Sequence, residues 1–119
     1  MHQDKSINYL EFASKDLDKT KAFFHTVFNW IFTDYGPEYT AFKSTTMEGG
    51  FYAAEVSSTT ATGACLVVFY AKSLLETQQA IVTAGGIISQ EIFSFPGGFR
   101  FHFIDPTGNE FAVWSEQQA

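Results

Sequence analysis

One feature limits the fold of this chain more than any other, and it is a duplication. The stretch INYLEFASKDLDKTKAFFHTVFNW, beginning at Ile7, and GACLVVFYAKSLLETQQAIVTAGGI, beginning at Gly63, superpose at an offset of 57 residues. Leu10 then meets Val67, Phe12 meets Phe69, Leu17 meets Leu74, Thr20 meets Thr77 and Phe24 meets Ile81. Each half opens with an apolar run rich in Tyr, Phe, Leu and Val, at Ile7–Ala13 and at Ala64–Ala71, as a strand does. A helix follows in each. Ser73 with Glu76 three residues on forms a capping-box pattern, and Gly85-Gly86 supplies the stop. The first helix opens at Ser14 to Asp16 and places Leu17, Phe24, Val27 and Phe28 on one stripe, which needs a sheet to cover it.

Three shorter strand-like runs follow each helix. In the first half they are Trp30–Asp34, Tyr39–Ser44 after the Gly36-Pro37 turn, and Gly50–Val56. In the second half they are Ile87–Phe93, Arg100–Ile104 after the turn Pro96-Gly97-Gly98, and Asn109–Ser115, which the turn in DPTGN launches. Each half is thus a βαβββ module. The first spans about residues 7–56, SSTTATG (57–63) is a polar joint, and the second spans about 64–115. A lone module cannot bury both faces of its sheet, so the two are expected to share one domain over residues 1–119.

Composition narrows the function classes. Hydrophobic residues at 45%, with fourteen Phe, specify a folded core. A net charge of −6 with seven scattered Lys and Arg provides no basic face, which argues against nucleic acid. The single Cys65 forms no internal disulfide, the start MHQDKS lacks a signal pattern, and no run is long enough to cross a bilayer. These point to a cytoplasmic protein without a membrane partner.

The paired modules, the opening strand running into KDLDKTKAFFHTVFNW, the mid-chain AGGII and the closing FHFIDPTGNEFAVWS together resemble the vicinal oxygen chelate superfamily, from Ile7 to Ser115. That superfamily holds glyoxalase I, bleomycin-resistance proteins and extradiol dioxygenases. The resemblance implies an α+β fold in which two βαβββ modules form a curved eight-stranded cup with helices outside and a ligand within. It also implies a homodimer, which surplus aromatic surface would favour.

Pleat parity then sorts side chains by face. Leu10 and Phe12, Val67 and Phe69, and Phe111 and Val113 go under the helices. Tyr9, Glu11 and Ala13, then Leu66, Val68 and Tyr70, then Glu110, Ala112 and Trp114, face the cup. Arg100 and His102 share one side of their strand, opposite Phe99, Phe101 and Phe103. The expected pocket is walled by Tyr9, Glu11, Tyr70, Glu110 and Trp114, with Arg100 and His102 at its mouth. By parity Cys65 is a buried, inert thiol.

Metal-using members of the superfamily resemble one another in taking ligands from the first strand of each module and from the last. Those positions fall here on Tyr9, Leu66 and Ala112, with a fourth within 50–55, where Glu55 is the only good donor. A divalent ion needs more donors than this, so neither metal nor other cofactor is expected. His2 and His25 read as solvated surface residues. His102 is either a pocket group or part of a solvent-facing edge. Glu11 is either a functional carboxylate or the ion-pair partner of Arg100.

Two functions from different classes follow. One is a metal-free binder of a small aromatic or apolar molecule, bleomycin-resistance-like, stacking it on Tyr9, Tyr70 and Trp114 and orienting it with Glu11, Arg100 and His102. The other is a lyase, isomerase or dioxygenase that uses an unusual metal set or acid–base catalysis by Glu11 and His102. A dimer with a vestigial cup is the third reading.

Overall fold

Asp16 and Ser73 stand at matched places in the repeat, and each caps a helix. The Asp16 carboxylate accepts the Lys19 N–H at 3.2 Å ahead of α1, Leu17–Phe28. The Ser73 hydroxyl accepts the Glu76 N–H at 3.2 Å ahead of α2, Leu74–Thr83. Only that half of the expected capping box forms, since Glu76 returns no hydrogen bond to Ser73. Asn29, at φ 61°, ends α1 in the left-handed region, and Gly85, at φ 102°, follows the end of α2.

The computed structural model describes residues 2–119. The strands are β1 (Tyr9–Ser14), β2 (Ile31–Asp34), β3 (Tyr39–Lys43), β4 (Glu48–Ala53), β5 (Val67–Tyr70), β6 (Ile87–Phe95), β7 (Gly98–Ile104) and β8 (Glu110–Ser115). They form two four-stranded sheets, β1-β4-β3-β2 and β5-β8-β7-β6, one from each repeat. β1 with β4 and β5 with β8 pair in parallel, and the remaining pairs are antiparallel. This is the expected α+β fold of two glyoxalase-like modules, with both sheets open.

The helix-facing sides of both sheets meet in one aromatic core. Phe12 of β1 lies 5.2 Å from Phe51 of β4 and 5.4 Å from Phe111 of β8, so rings from the two sheets touch. α1 spans the junction. Its Phe24 meets Phe51 at 5.6 Å and sits edge-on to Phe111 at 5.3 Å, while Phe28 stacks on Phe69 at 4.1 Å. Phe24 and Ile81, matched by the repeat, are both fully buried. Parity holds at Leu10 and Phe12, which pack into this core, and at Tyr9 and Glu11, which are exposed on the other face.

Strand ends shift from expectation by up to three residues, most at β4 and β5. β4 runs over 48–53 rather than 50–56, and β5 begins at Val67 rather than Ala64. A 3-10 turn at Thr60–Thr62 precedes Gly63 at φ 86°, and the Ala64 N–H bonds back to Thr59 O, which holds that residue to the turn. Sheet pairing starts at Val67 opposite Phe111, so strand alternation does not reach Cys65. Its thiol is exposed rather than buried.

The turn in DPTGN does more than reverse the chain. Asp105 Oδ1 accepts the N–H groups of Thr107 and Asn109 at 2.9 Å and the Thr107 hydroxyl at 3.0 Å. Asn109, 1% exposed, donates to Ala13 O on β1 at 2.8 Å and accepts the Ser58 N–H at 2.8 Å, tying together the first module, the joint and the last strand. Asn109→Ala therefore takes the partner from a buried carbonyl and a half-buried N–H, and should lower stability in urea by about 1–3 kcal/mol. A loss within experimental error would show that the junction holds without it.

Burial raises the Asp105 carboxyl above its ordinary value near 3.8, against the opposing hydrogen bonds from Asn109, Thr107 and Gly108. A raised folded pKa gives stability that is present below 3.8 and is lost as pH climbs towards the folded value. The advantage of the natural chain over Asp105→Asn should thus be largest near about pH 3 and shrink as pH rises. Denaturation midpoints across that range check the sign, and an advantage that grows with pH contradicts it.

Candidate functional site

Because the aromatic core occupies one face of each sheet, the polar groups gather on the opposite faces. On the first sheet the register sets Glu11 beside Gly50 and Tyr39 beside Tyr52. Tyr39 donates to Glu11 Oε2 at 3.0 Å, and its hydroxyl also contacts that of Tyr9. A Cβ on Gly50 would lie 2.0 Å from Tyr39 Oη and 2.8 Å from Tyr9 Oη, so the phenols lean over a strand that only glycine keeps clear. Burial, then the neighbouring Tyr9 and Glu11, push the Tyr39 phenol well above its ordinary value, which keeps it a neutral donor.

The second sheet carries a longer chain of contacts. Glu110 Oε1 accepts the Thr60 N–H at 2.8 Å and the Thr60 hydroxyl at 2.9 Å, and its Oε2 lies 3.2 Å from His102 Nδ1. His102 Nε2 lies 3.1 Å from Arg100 Nη2. Arginine only donates, so Nε2 is the acceptor and Nδ1–H is the donor to Glu110. Burial pushes the Glu110 carboxyl up, but the Thr60 N–H, His102 and the Thr60 hydroxyl outweigh it and hold the carboxyl below its ordinary value.

Beside this chain lies a pocket of about 180 Å³ lined by Val68, Phe95, Gly97, Arg100 and Trp114. The register pairs Arg100 with Trp114 on one side and Phe93 on the other. The guanidinium lies 5.6 Å from the Phe95 ring centre and 5.8 Å from that of Phe93, within cation–π range. Tyr70 and Phe95 meet the Trp114 ring edge-on at 5.0 and 6.2 Å. Arg100 Nε is buried without a hydrogen-bond partner.

The structure thus divides the expected site. Trp114 and Arg100 line one pocket, and Tyr70, His102 and Glu110 adjoin them. Tyr9 and Glu11 belong to the other sheet, and among the described residues no hydrogen bond, ion pair or ring contact joins the two groups. Glu11 pairs with Tyr39 and not with Arg100. The His102 and Glu110 side chains are only 12% and 13% exposed, which removes the solvent-edge reading of His102. His2 and His25 are exposed, as expected.

Sequence reasoning missed Phe95, Gly97, Tyr39 and Thr60. Phe95 continues the parity of Phe93, and following IFSF to its end would have found it. Gly50, a glycine inside β4, is the signal that could have pointed to Tyr39, since a glycine within a strand marks a close approach.

The metal-ligand positions that the family resemblance implies do not fit an ion here. The Tyr9 hydroxyl is engaged by Tyr39, and Ala112 lies between Val68 and His102 in the sheet, with no donor of its own. Leu66 has none either, and Glu55 lies beyond the end of β4 in an exposed bend. Among the described residues no three His, Cys, Asp or Glu side chains come together.

The glyoxalase/bleomycin resistance protein/dioxygenase superfamily model matches residues 6–113. The chain belongs to that superfamily. Among solved structures it is similar to a family enzyme from Burkholderia phytofirmans PsJN, at TM-score 0.77 and 16% identity over 91% of this chain and 96% of that one. It is likewise similar to the fosfomycin resistance protein FosX of Listeria monocytogenes, at 0.77 and 19% over 95% and 94%. The lactoylglutathione lyase of Agrobacterium tumefaciens gives 0.70 and 19% over 95% of each chain. These likenesses establish the shared fold. No curated protein matches the chain by sequence.

A lowered Glu110 carboxyl contributes stability that is present above its ordinary value of 4.5 and is lost as pH falls through the folded one. Glu110→Gln should therefore lower the melting temperature at pH 7 while narrowing the difference from the natural chain below about pH 4. Thermal melts at the two pH values check this, and equal differences at both would show that the carboxylate charge contributes nothing.

Proposed function

We propose that this member of the superfamily is a cytoplasmic binding protein that takes a small, largely apolar or aromatic molecule without a metal. The observation that carries the reading is the pocket between Trp114, Phe95 and Val68, whose apolar walls are joined by a single guanidinium. Tyr70 and Trp114 supply stacking surface, and Arg100 and His102 orient polar groups of the ligand. Two copies of the chain form the working unit. Tyr9, Tyr52, Val68 and Tyr70 stand 41–50% exposed on the open faces, and a second copy would cover them.

The second reading, an enzyme of the lyase, isomerase or dioxygenase kind, draws support from the His102–Glu110 pair. A carboxylate that orients an imidazole is one arrangement used for proton transfer. In this reading Glu11 and His102 serve as acid and base across the two-copy cup. The lactoylglutathione lyase named above makes hemithioacetal isomerisation the reaction to assay first.

A thermal-shift screen with aromatic and glutathione-type compounds is expected to give hits among the aromatics and no isomerase turnover with added zinc, nickel, cobalt or manganese. Turnover abolished by Glu11→Gln would promote the enzyme. No hit and no turnover, with a dimer in solution, would leave the cup vestigial.

A further inference from the structure

Arg100 is the chain's only arginine, in a sequence with thirteen Asp and Glu against seven Lys and Arg. None of those acids within the described residues forms an ion pair with it. Glu110 has both oxygens engaged, by Thr60 on one side and His102 on the other. The guanidinium carries five N–H groups and cannot lose its charge, yet a single one, on Nη2, is bonded within the protein. Phe93 and Phe95 attract the cation through their ring faces but accept no in-plane hydrogen bond. Arg100 is half-buried and its Nε is shut off from water without an acceptor, a cost that structures accept where something supplies the opposite charge. In a chain of net charge −6, an acid at almost any neighbouring position would have met the need.

We infer that the missing counter-ion is the ligand's own: the pocket takes a small aromatic monoanion, with its carboxylate on the free Nη protons of Arg100 and its ring against Trp114 and Phe95. A planar fork meeting a carboxylate makes paired charge-assisted hydrogen bonds, which a point charge would not orient. His102 acts as a positioning residue. Its Nε2 holds Nη2 because Glu110 holds its Nδ1–H, so the chain Thr60, Glu110, His102 aims the guanidinium before any ligand arrives. The pocket's size of about 180 Å³ has room for one ring with one or two short substituents. This rests on the reading of the Trp114 pocket as a small-molecule site.

The test is calorimetric titration of the full chain with phenylacetate and, separately, with phenylacetamide, which keeps the shape and removes the charge. The carboxylate is expected to bind at least about tenfold more tightly, with affinity falling as salt rises. Arg100→Gln should bring the two within about twofold of each other, and Arg100→Lys should keep part of the preference because it keeps the charge and loses the fork. Glu110→Gln should weaken the carboxylate alone, while a role confined to folding would weaken both compounds equally. If the amide binds the natural chain as well as the carboxylate does, the charge assignment is wrong although the site stands. If neither compound binds, and no neutral or anionic aromatic from a fragment panel does either, the site reading falls with it. The comparison on the natural chain decides the matter even if Arg100→Gln fails to fold.

Discussion

Everything in this structure depends on two four-stranded sheets that each need a cover for one face and find it in the same place. Phe12 and Phe51 from one sheet, Phe111, Phe103 and Phe69 from the other, and Phe24 from α1 form a continuous ring cluster with centroids mostly 5–6 Å apart. Fully burying a phenylalanine contributes about 1.5–3 kcal/mol, and ring pairs at these distances add about 0.5–1.5 kcal/mol each. Single hydrogen bonds contribute about 1 kcal/mol net, so the rings outweigh any polar contact in setting register. A slip of one residue in β1 would expose Phe12 and bury Glu11.

That constraint also assigns the chemistry. With the ring faces inward, the alternate residues of β1, β5, β7 and β8 must point the other way, and the two open faces have taken different characters. On the first sheet Tyr9, Tyr39 and Glu11 satisfy one another, and Gly50 makes room for the phenols. On the second sheet the chain from Thr60 through Glu110 and His102 ends on Arg100, which has donors to spare. A group of donors and acceptors that closes on itself asks nothing of a ligand. A chain that ends on an unpaired cation does.

Much of the fold was legible because the repeat and the pleat are local, periodic properties. Phe12 with Phe69, Leu17 with Leu74 and Phe24 with Ile81 took equivalent places in the two halves, and face assignments along β1 and β8 followed from alternation alone. Cys65 failed for a physical reason: alternation binds only where strand pairing exists, and Gly63 with the Thr59–Ala64 hydrogen bond delays pairing to Val67. Phe95 was missed because Pro96-Gly97 looked like the centre of a longer loop, whereas β6 runs on to Phe95, past register shifts between Ile88 and Phe93, and turns in two residues. The division of the site between sheets was beyond alternation altogether. Parity says which face a side chain takes and is silent about which sheet that face looks at.

The positions at which the family resemblance implies metal ligands carry no such donors here, although the fold is the shared one. Ala112 is fully buried between strands, paired with Val68 on one side and His102 on the other, and brings no donor. His102, the nearest imidazole, offers one ring lone pair, on Nε2, and Arg100 already occupies it, so coordination would have to displace the guanidinium. Recruiting it would cost the guanidinium its one bond within the described residues, beside side chains of His102 and Glu110 that are only 12–13% exposed. One lone pair on His102 thus serves either Arg100 or an ion, and a guanidinium held there and a metal held there are competing uses of one face.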